Sequence, residues 1–254
     1  MLLITDPWFY AAAVPAVICV GLSKGGFGGT FAMLGVPIMS LVISPLQAAG
    51  IMLPILLVMD AVALMAYKGK ADWRSLAILL PAAMVGIGIG WGTAAYVDDT
   101  FVTLMIGVIS LAFVADYVFK RRKEAVALGH NIPKGSFWGA VAGFTSFISH
   151  TGGPPFQMYI LPLKLAPMLF AGTAVIFFAT VNAVKVIPYF FLGQFDTTNL
   201  TTSAVLFPVA LVATLAGVRL VRIMKAETFY AIIYIVMGLI GAKLMYDGLA
   251  GLLA

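Results

Sequence analysis

The sequence predicts an all-α polytopic membrane protein whose two halves are an inverted-topology internal repeat. Three observations predict this class. The 254-residue chain is 62% hydrophobic and only 10% charged, which leaves too little polar surface to coat a soluble globule. Long apolar segments recur along the chain, and the order of polar features in the first half returns in the second. We therefore expect helices that span a lipid bilayer.

The first half, residues 1–119, begins with a broken hairpin at 2–44, in which a charged, glycine-rich break separates two apolar arms. Both arms are short or contain proline, as expected of half-helices. Three full-length apolar spans follow at 46–67, 75–96 and 101–119. A basic connector, residues 120–134, marks the midpoint of the chain.

The second half, residues 135–254, repeats this order. Its hairpin lies at 135–163, and its spans lie at 168–191, 200–220 and 228–249. Matched residues occur in the same order in both halves, among them Asp60 with Asn182 and Tyr67 with Tyr189. Self-similarity of this kind predicts a duplication.

The distribution of Lys and Arg predicts the orientation of the spans. Most of these residues lie in the loops at 68–74, 120–134 and 219–225, and basic loops remain in the cytoplasm. We therefore expect the connector to be cytoplasmic and both termini to lie outside, so that the two halves run in opposite directions. We expect no cleaved signal peptide, because the first seven residues contain Asp6 and no Lys or Arg.

This topology requires each hairpin to begin and end on the same face of the membrane. Arms of about 11 to 18 residues reach roughly 16 to 27 Å, which is short of a ~30 Å hydrocarbon core. Re-entrant hairpins whose tips meet within the membrane are therefore expected, and two short crossings per hairpin are the alternative.

The two breaks are predicted to bind an anion. Each second arm begins just after its glycines, so its N–H groups and positive dipole end point into the meeting zone. Lys24 adds a full positive charge, and His150 adds a donor whose charge can change near neutral pH. The predicted substrate-binding residues are Ser23, Lys24, Gly25, Gly26, Gly28, Gly29 and Thr30 in the first break and Ser149, His150, Thr151, Gly152 and Gly153 in the second.

Three polar residues within full spans are predicted to act in coupling or gating: Asp60, Asn182 and Lys185. Ionisable groups inside membranes are costly and serve functional or mutually paired roles. The alternative is that Asp60 forms a structural ion pair with Lys185 or Lys24. A proton-linked cycle that uses His150 or Asp60 is left open.

Other classes of function lack the residues they need. One cysteine, Cys19, excludes a cysteine-based metal cluster, and the 13 methionines are scattered, so no metal site or cofactor is expected. No P-loop or catalytic motif is present, which argues against an enzyme. A net charge of +5 is accounted for by cytoplasmic loops and does not indicate nucleic-acid binding.

Residues 21–29 (GLSKGGFGG), the later Gly152-Gly153-Pro154 break, the duplicated halves and the basic connector resemble the sulfite exporter TauE/SafE family of membrane permeases. The resemblance covers nearly the whole chain and implies a secondary transporter in the bacterial cytoplasmic membrane. Its expected substrate is a small sulfur-containing anion such as sulfite, sulfoacetate or another organosulfonate, moved by alternating access. An anion channel of similar selectivity and a transporter of another small anion are the alternatives, and a homo-oligomer is left open.

Overall fold

The computed structural model describes residues 3–29, 31–93 and 127–253, together with isolated positions between 100 and 118. Three of the predicted features lie wholly or mostly outside the described residues: Thr30, the span 101–119 and residues 120–126 of the connector.

The described residues form helices and no strand. The α-helices are α1 (Pro7–Lys24), α2 (Gly35–Met39), α3 (Pro45–Ala66), α4 (Trp73–Thr93), α5 (Ile132–Ser149), α6 (Gly153–Ile160), α7 (Pro167–Phe191), α8 (Thr197–Ile223) and α9 (Ala226–Leu253), with 3-10 turns at Ala32–Leu34 and Leu161–Leu163. Among these, α1, α3, α4, α7, α8 and α9 are long and apolar enough to cross a membrane. The prediction of an all-α polytopic membrane protein is thereby confirmed.

Polar caps start the long helices at their observed positions. Asp6, Ser44, Asn131 and Asp196 each accept a hydrogen bond from a main-chain N–H in the first turn of α1, α3, α5 and α8 respectively. These bonds satisfy N–H groups that have no partner within the helix. Prolines follow the caps of α1, α3 and α5, where their missing N–H carries no cost.

Each hairpin has one long and one short arm. Helices α1 and α5 have 18 residues each and are therefore about 27 Å long. The helical parts of the second arms, 32–39 and 153–163 with their 3-10 turns, reach only about 13 to 18 Å. Helices this short do not cross a ~30 Å core, so two helical crossings per hairpin do not fit these arms.

The basic loops lie together at one end of the bundle. Arg222, in the last turn of α8, donates to the carbonyl of Ala66 at the end of α3 at 2.9 Å. In the loop after α3, Asp72 lies 2.7 Å from Nε2 of His130, and its N–H donates to Thr173 near the start of α7 at 2.8 Å. The second hairpin, which runs from α5 to the start of α7, therefore begins and ends at this basic end.

The first hairpin begins and ends at the opposite end of the bundle. The N–H of Ile4, just before α1, lies 3.4 Å from the hydroxyl of Thr202. Gln47, at the start of α3, donates to Asn199 at 3.3 Å. Both contacts are made to the beginning of α8, so the entry to α1 and the entry to α3 share one end.

Small residues allow α4 and α5 to pack backbone to backbone. A Cβ atom added at Gly86 would overlap the carbonyl oxygen of Ala140, and one added at Gly143 would overlap that of Ala83. Such close approach through small residues is a common way for membrane helices to associate. Gly88, two positions from Gly86 on the same helix, has no neighbour within 4 Å of an added Cβ.

We expect Gly86→Ala and Gly88→Ala to change stability in opposite directions. The added methyl at 86 forces the helices apart, and overpacking of this kind costs about 1–3 kcal/mol. At 88 the methyl meets nothing, so the higher helix propensity of alanine stabilises by up to about 1 kcal/mol. Melting of both variants in one detergent measures the difference, and equal shifts would contradict the observed interface.

The Asp72 carboxylate stabilises the basic end in a pH-dependent way. Burial raises the pKa of Asp72, but hydrogen bonds from Ser75 and His130 and the charge of His130 outweigh it and hold the pKa below its usual value. A carboxylate with a depressed pKa stabilises the fold wherever it is ionised, and this contribution is lost as the pH falls through the lowered pKa.

We expect Asp72→Asn to melt at a lower temperature than the wild type at neutral pH. The difference should shrink as the pH falls below about 4 and through the lowered pKa, because the wild-type carboxyl then becomes protonated as well. Melting curves of both proteins across this pH range measure it, and a gap that persists to about pH 2 would show that the charge is not responsible.

Candidate functional site

The two helix breaks are in direct contact. A Cβ added at Gly153 would lie 2.6 Å from the carbonyl oxygen of Gly29, so the backbones meet with no room for a side chain. Gly28 and Gly29 have φ values of +63° and +80°, which glycine adopts without strain. Gln157 of α6 donates to the carbonyl of Gly28 at 3.0 Å, which fixes the first break onto the second hairpin.

Two buried tyrosines bind the breaks in matching ways. The hydroxyl of Tyr67 donates to the carbonyl of Gly25, and that of Tyr189 donates to the carbonyl of Phe147 at 3.2 Å. Each tyrosine lies 42 positions after its partner. The residues that the sequence paired across the halves therefore make equivalent contacts.

A buried ion pair joins the first break to α3 and α7. The ammonium of Lys24 lies 2.6 Å from Oδ1 of Asp60, and the side-chain amide of Asn182 donates to Oδ2 at 2.7 Å. Both carboxylate oxygens thus have a partner. Of the two partners that the sequence left open for Asp60, the structure pairs it with Lys24. The Lys24 ammonium also lies 5.4 Å from the ring centroid of Phe178.

Lys185 is a second buried cation, and it has a different environment. Its side chain is fully buried, and its ammonium contacts the carbonyl and the hydroxyl of Ser146, at 2.9 and 3.1 Å, and Nδ1 of His150 at 2.8 Å. Among the residues that the structure describes, no carboxylate lies within 4 Å of it. Lys185 therefore has hydrogen-bond acceptors but no counter-ion in this part of the chain.

The hydrogen bonds determine the tautomer of His150. An ammonium has no lone pair and can only donate, so Nδ1 of His150 accepts the bond from Lys185. The ring proton then lies on Nε2, which faces the carbonyl of Ala49 at 3.4 Å. When Lys185 is protonated, His150 is therefore neutral beside it.

A small cavity lies where these groups converge. Its lining residues are Lys24, Gly29, Ala32, Leu56, Ser146, His150, Gly153, Phe178 and Asn182. It offers about 20 Å³ to the centre of a water molecule, which is enough for roughly one water. A second cavity of about 10 Å³, lined in part by Ser23, Gly26 and Gly28, shares Lys24, Gly29 and Phe178 with the first. An oxyanion needs these side chains to move apart before it fits.

Not every predicted site residue reaches a cavity. Ser149 and Thr151 bind each other at 2.8 Å, and Thr151 also donates to the carbonyl of Thr145 at 3.3 Å. An added Cβ at Gly25 would lie against Gly217 of α8, and one at Gly152 would lie 2.7 Å from the Ala142 carbonyl. These four residues hold the breaks in place instead of lining the cavities.

The N-terminal ends of the second arms offer fewer main-chain N–H donors than the sequence suggested. Pro154 and Pro155 occupy the first turn of α6 and have no N–H. In the first break, the N–H of Phe31 donates to the hydroxyl of Ser23 at 3.1 Å, and that of Ala32 donates to the Gly29 carbonyl. The positive charge at the site therefore comes mainly from Lys24 and Lys185.

Sequence reasoning missed Ser146 and Phe178 as members of the site. Each lies four positions, or one helical turn, before a predicted site residue: Ser146 before His150 and Phe178 before Asn182. Residues at this spacing share a helix face, and this was the signal that could have found them.

A family model described as "Sulfite exporter TauE/SafE" matches residues 13–244. The chain belongs to this family. The TauE/SafE match includes both breaks and all four of Lys24, Asp60, His150 and Lys185, and it confirms the resemblance carried by the glycine motifs. The chain is also 26% identical, over 234 residues, to a protein of Cupriavidus necator described as a probable sulfite/organosulfonate exporter TauE. That alignment covers 89% of this chain and 88% of the relative. No solved structure matches the chain.

A double-mutant cycle tests the Lys24–Asp60 pair. We expect Lys24→Met and Asp60→Asn each to lower the free energy of unfolding by about 3–5 kcal/mol, because each leaves one buried group without its partner. The double variant should regain most of this loss. Melting in detergent without added sulfur anions measures all four proteins.

The matched control is the exposed pair Lys243–Asp247 on α9. The same substitutions there should show a smaller coupling, because side chains on the outer surface near a helix end can reach the hydrated membrane interface. Equal coupling in the two cycles would mean that the buried pair contributes no more than a surface contact.

Proposed function

We propose that the protein is a secondary transporter that exports a small sulfur-containing anion, sulfite or an organosulfonate, across the bacterial cytoplasmic membrane. The observation that carries this proposal is Lys185, a fully buried lysine whose hydrogen-bond partners carry no negative charge. A buried charge without a counter-ion is costly. An anion in the adjacent cavity would supply the missing negative charge.

The groups around the cavity suit an oxyanion. Lys24 lines it from the first break, and Ser146 and His150 line it beside Lys185. Gly29 and Gly153 leave the backbone bare at the contact between the breaks, so that a ligand can approach it closely. Membership of the TauE/SafE family and the exporter name of the relative agree with a sulfur anion as the substrate.

The arrangement of the hairpins favours alternating access. The contacts of Ile4 and Gln47 hold the first hairpin at one end of the bundle, and those of Asp72 hold the second at the basic end. Two hairpins that enter from opposite ends and touch at their glycines are what an inverted repeat provides. In this proposal the basic end is cytoplasmic, and rocking of one half against the other exposes the site to each side in turn.

Burial favours a carrier over an anion channel. Lys24, Asp60, Asn182 and Lys185 are all 5% exposed or less, and the cavity beside them holds roughly one water. A carrier cycle needs a site that is closed at some stage to both sides, whereas a conducting channel needs a continuous path.

The membrane potential can supply the driving force. Moving one negative charge out of a cell with a negative interior gains about 2.3 kcal/mol per 100 mV. At 100 mV this corresponds to roughly a 50-fold gradient. Export in this proposal requires neither ATP nor a coupling ion.

Uptake of radiolabelled sulfite and of a labelled short-chain sulfonate into proteoliposomes tests the proposal. With an inside-positive potential, we expect saturable uptake and exchange of internal for external anion by the wild type. Lys185→Met should reduce uptake by about 10- to 100-fold, because a charged hydrogen bond contributes about 1.5–3 kcal/mol.

Lys243→Met is the matched control, because Lys243 is an exposed lysine on α9 and its loss should leave uptake unchanged. An equal loss of uptake in both variants would show that Lys185 is not part of the substrate site. Uptake that does not saturate and shows no exchange would indicate a channel, and no uptake of either anion would contradict the substrate class.

A further inference from the structure

The buried charges near the cavity do not cancel. Lys24 is paired with Asp60, whose second oxygen accepts from Asn182. Lys185 contacts Ser146 and a neutral His150. One ammonium therefore has its own carboxylate and the other has none among the described residues.

The remaining groups that face this cluster add no charge. The hydroxyls of Tyr67 and Tyr189 donate to main-chain carbonyls and stay neutral in doing so. Ala32, Leu56 and Phe178 are apolar parts of the cavity lining. Of the acidic residues that the structure describes, Asp60 alone is buried. With Lys185 protonated, the described cluster thus carries a single net positive charge.

We propose that this single unbalanced charge makes the site select singly charged anions, such as hydrogen sulfite or a monosulfonate, over doubly charged ones of similar size. This inference rests on the proposed transport function and narrows its substrate class. A monoanion brings the buried cluster to neutrality, whereas a dianion leaves one negative charge buried without a partner. Sulfoacetate, which carries a sulfonate and a carboxylate, is therefore a poor substrate in this account.

Asp60 sets the charge that the ligand must match. Its carboxylate cancels Lys24, so its replacement by the isosteric asparagine leaves two uncompensated ammonium groups. A dianion then becomes the ligand that restores neutrality. Removing Lys24 together with the Asp60 carboxylate returns the cluster to one positive charge, carried by Lys185.

Competition between two probes of similar size and different charge tests this inference. Methanesulfonate is a monoanion and sulfate is a dianion, and both have tetrahedral sulfur. Uptake of labelled methanesulfonate by wild-type proteoliposomes is measured while the external concentration of unlabelled methanesulfonate or of unlabelled sulfate is raised. We expect methanesulfonate to compete at a concentration about tenfold or more below that of sulfate, because a mismatched buried charge is unfavourable.

The variants test whether charge causes the preference. The ratio to compare is the concentration of sulfate that halves uptake divided by the concentration of methanesulfonate that does so. In Asp60→Asn we expect this ratio to fall by about tenfold or more. In the double variant Lys24→Gln/Asp60→Asn we expect it to return toward the wild-type value. If the substitutions only damaged the structure, uptake would fall in both variants. The ratio would not change in the single variant and return in the double variant.

A second measurement needs only the wild type and decides the matter if the variants do not fold. Sulfite becomes hydrogen sulfite as the pH falls through neutrality, whereas methanesulfonate keeps its charge. We expect the ratio of sulfite to methanesulfonate uptake to rise as the pH falls. Sulfate, which stays a dianion over this range, is the control: protonation of His150 would raise the ratio of sulfate to methanesulfonate uptake, whereas protonation of sulfite leaves that ratio unchanged.

The outcomes distinguish a failure of this inference from a failure of the proposed transport function. Saturable uptake with equal competition by both probes, or a ratio unchanged in Asp60→Asn, would overturn charge selection and leave an anion transporter. The absence of saturable uptake of any of the three anions by the wild type would contradict the transport function and the inference with it.

Discussion

The two helix breaks place main-chain carbonyl groups inside apolar protein, where an unpaired polar group is costly and must be satisfied from within the chain. Tyr67 donates to the first break and Tyr189 to the second hairpin. Asp60 lies seven positions before Tyr67, and Asn182 lies seven before Tyr189, which is about two helical turns. The helix face that binds the backbone of each hairpin therefore also carries a polar group into the centre, so one constraint positions both the scaffold and the site.

Much of this arrangement could be predicted from sequence because it rests on residue types that are rare inside membranes. Glycine-dense breaks and mid-span residues such as Asp60 and Lys185 are conspicuous in an apolar chain. The choice of Lys24 over Lys185 as the partner of Asp60 could not be predicted, because it depends on how α1, α3 and α7 pack. Ser146 and Phe178 escaped notice because serine and phenylalanine are common in membrane helices. The effect of Pro154 and Pro155 was readable but overlooked: they remove the donors that an anion at a helix end would need.

The two buried lysines have different surroundings. Lys24 is neutralised by Asp60 and also contacts the ring of Phe178, and all of these groups belong to elements that meet at the first break. Lys185 lies against the second hairpin through Ser146 and His150. Lys24 and Phe178 line both small cavities. The lysine without a counter-ion among the described residues thus lies on α7 against the second hairpin, and the neutralised lysine lies at the first break.

The central claim is that the anion binds between the two breaks and completes the charge of Lys185. Selenite has the shape of sulfite and a strong anomalous signal, so a crystal structure of the protein soaked in selenite locates the anion directly. The account predicts a selenium peak within about 4 Å of the Lys185 ammonium, the range of a charged contact, on the side of the cavity shared with Lys24. A peak elsewhere in the bundle, with none beside Lys185, would contradict it.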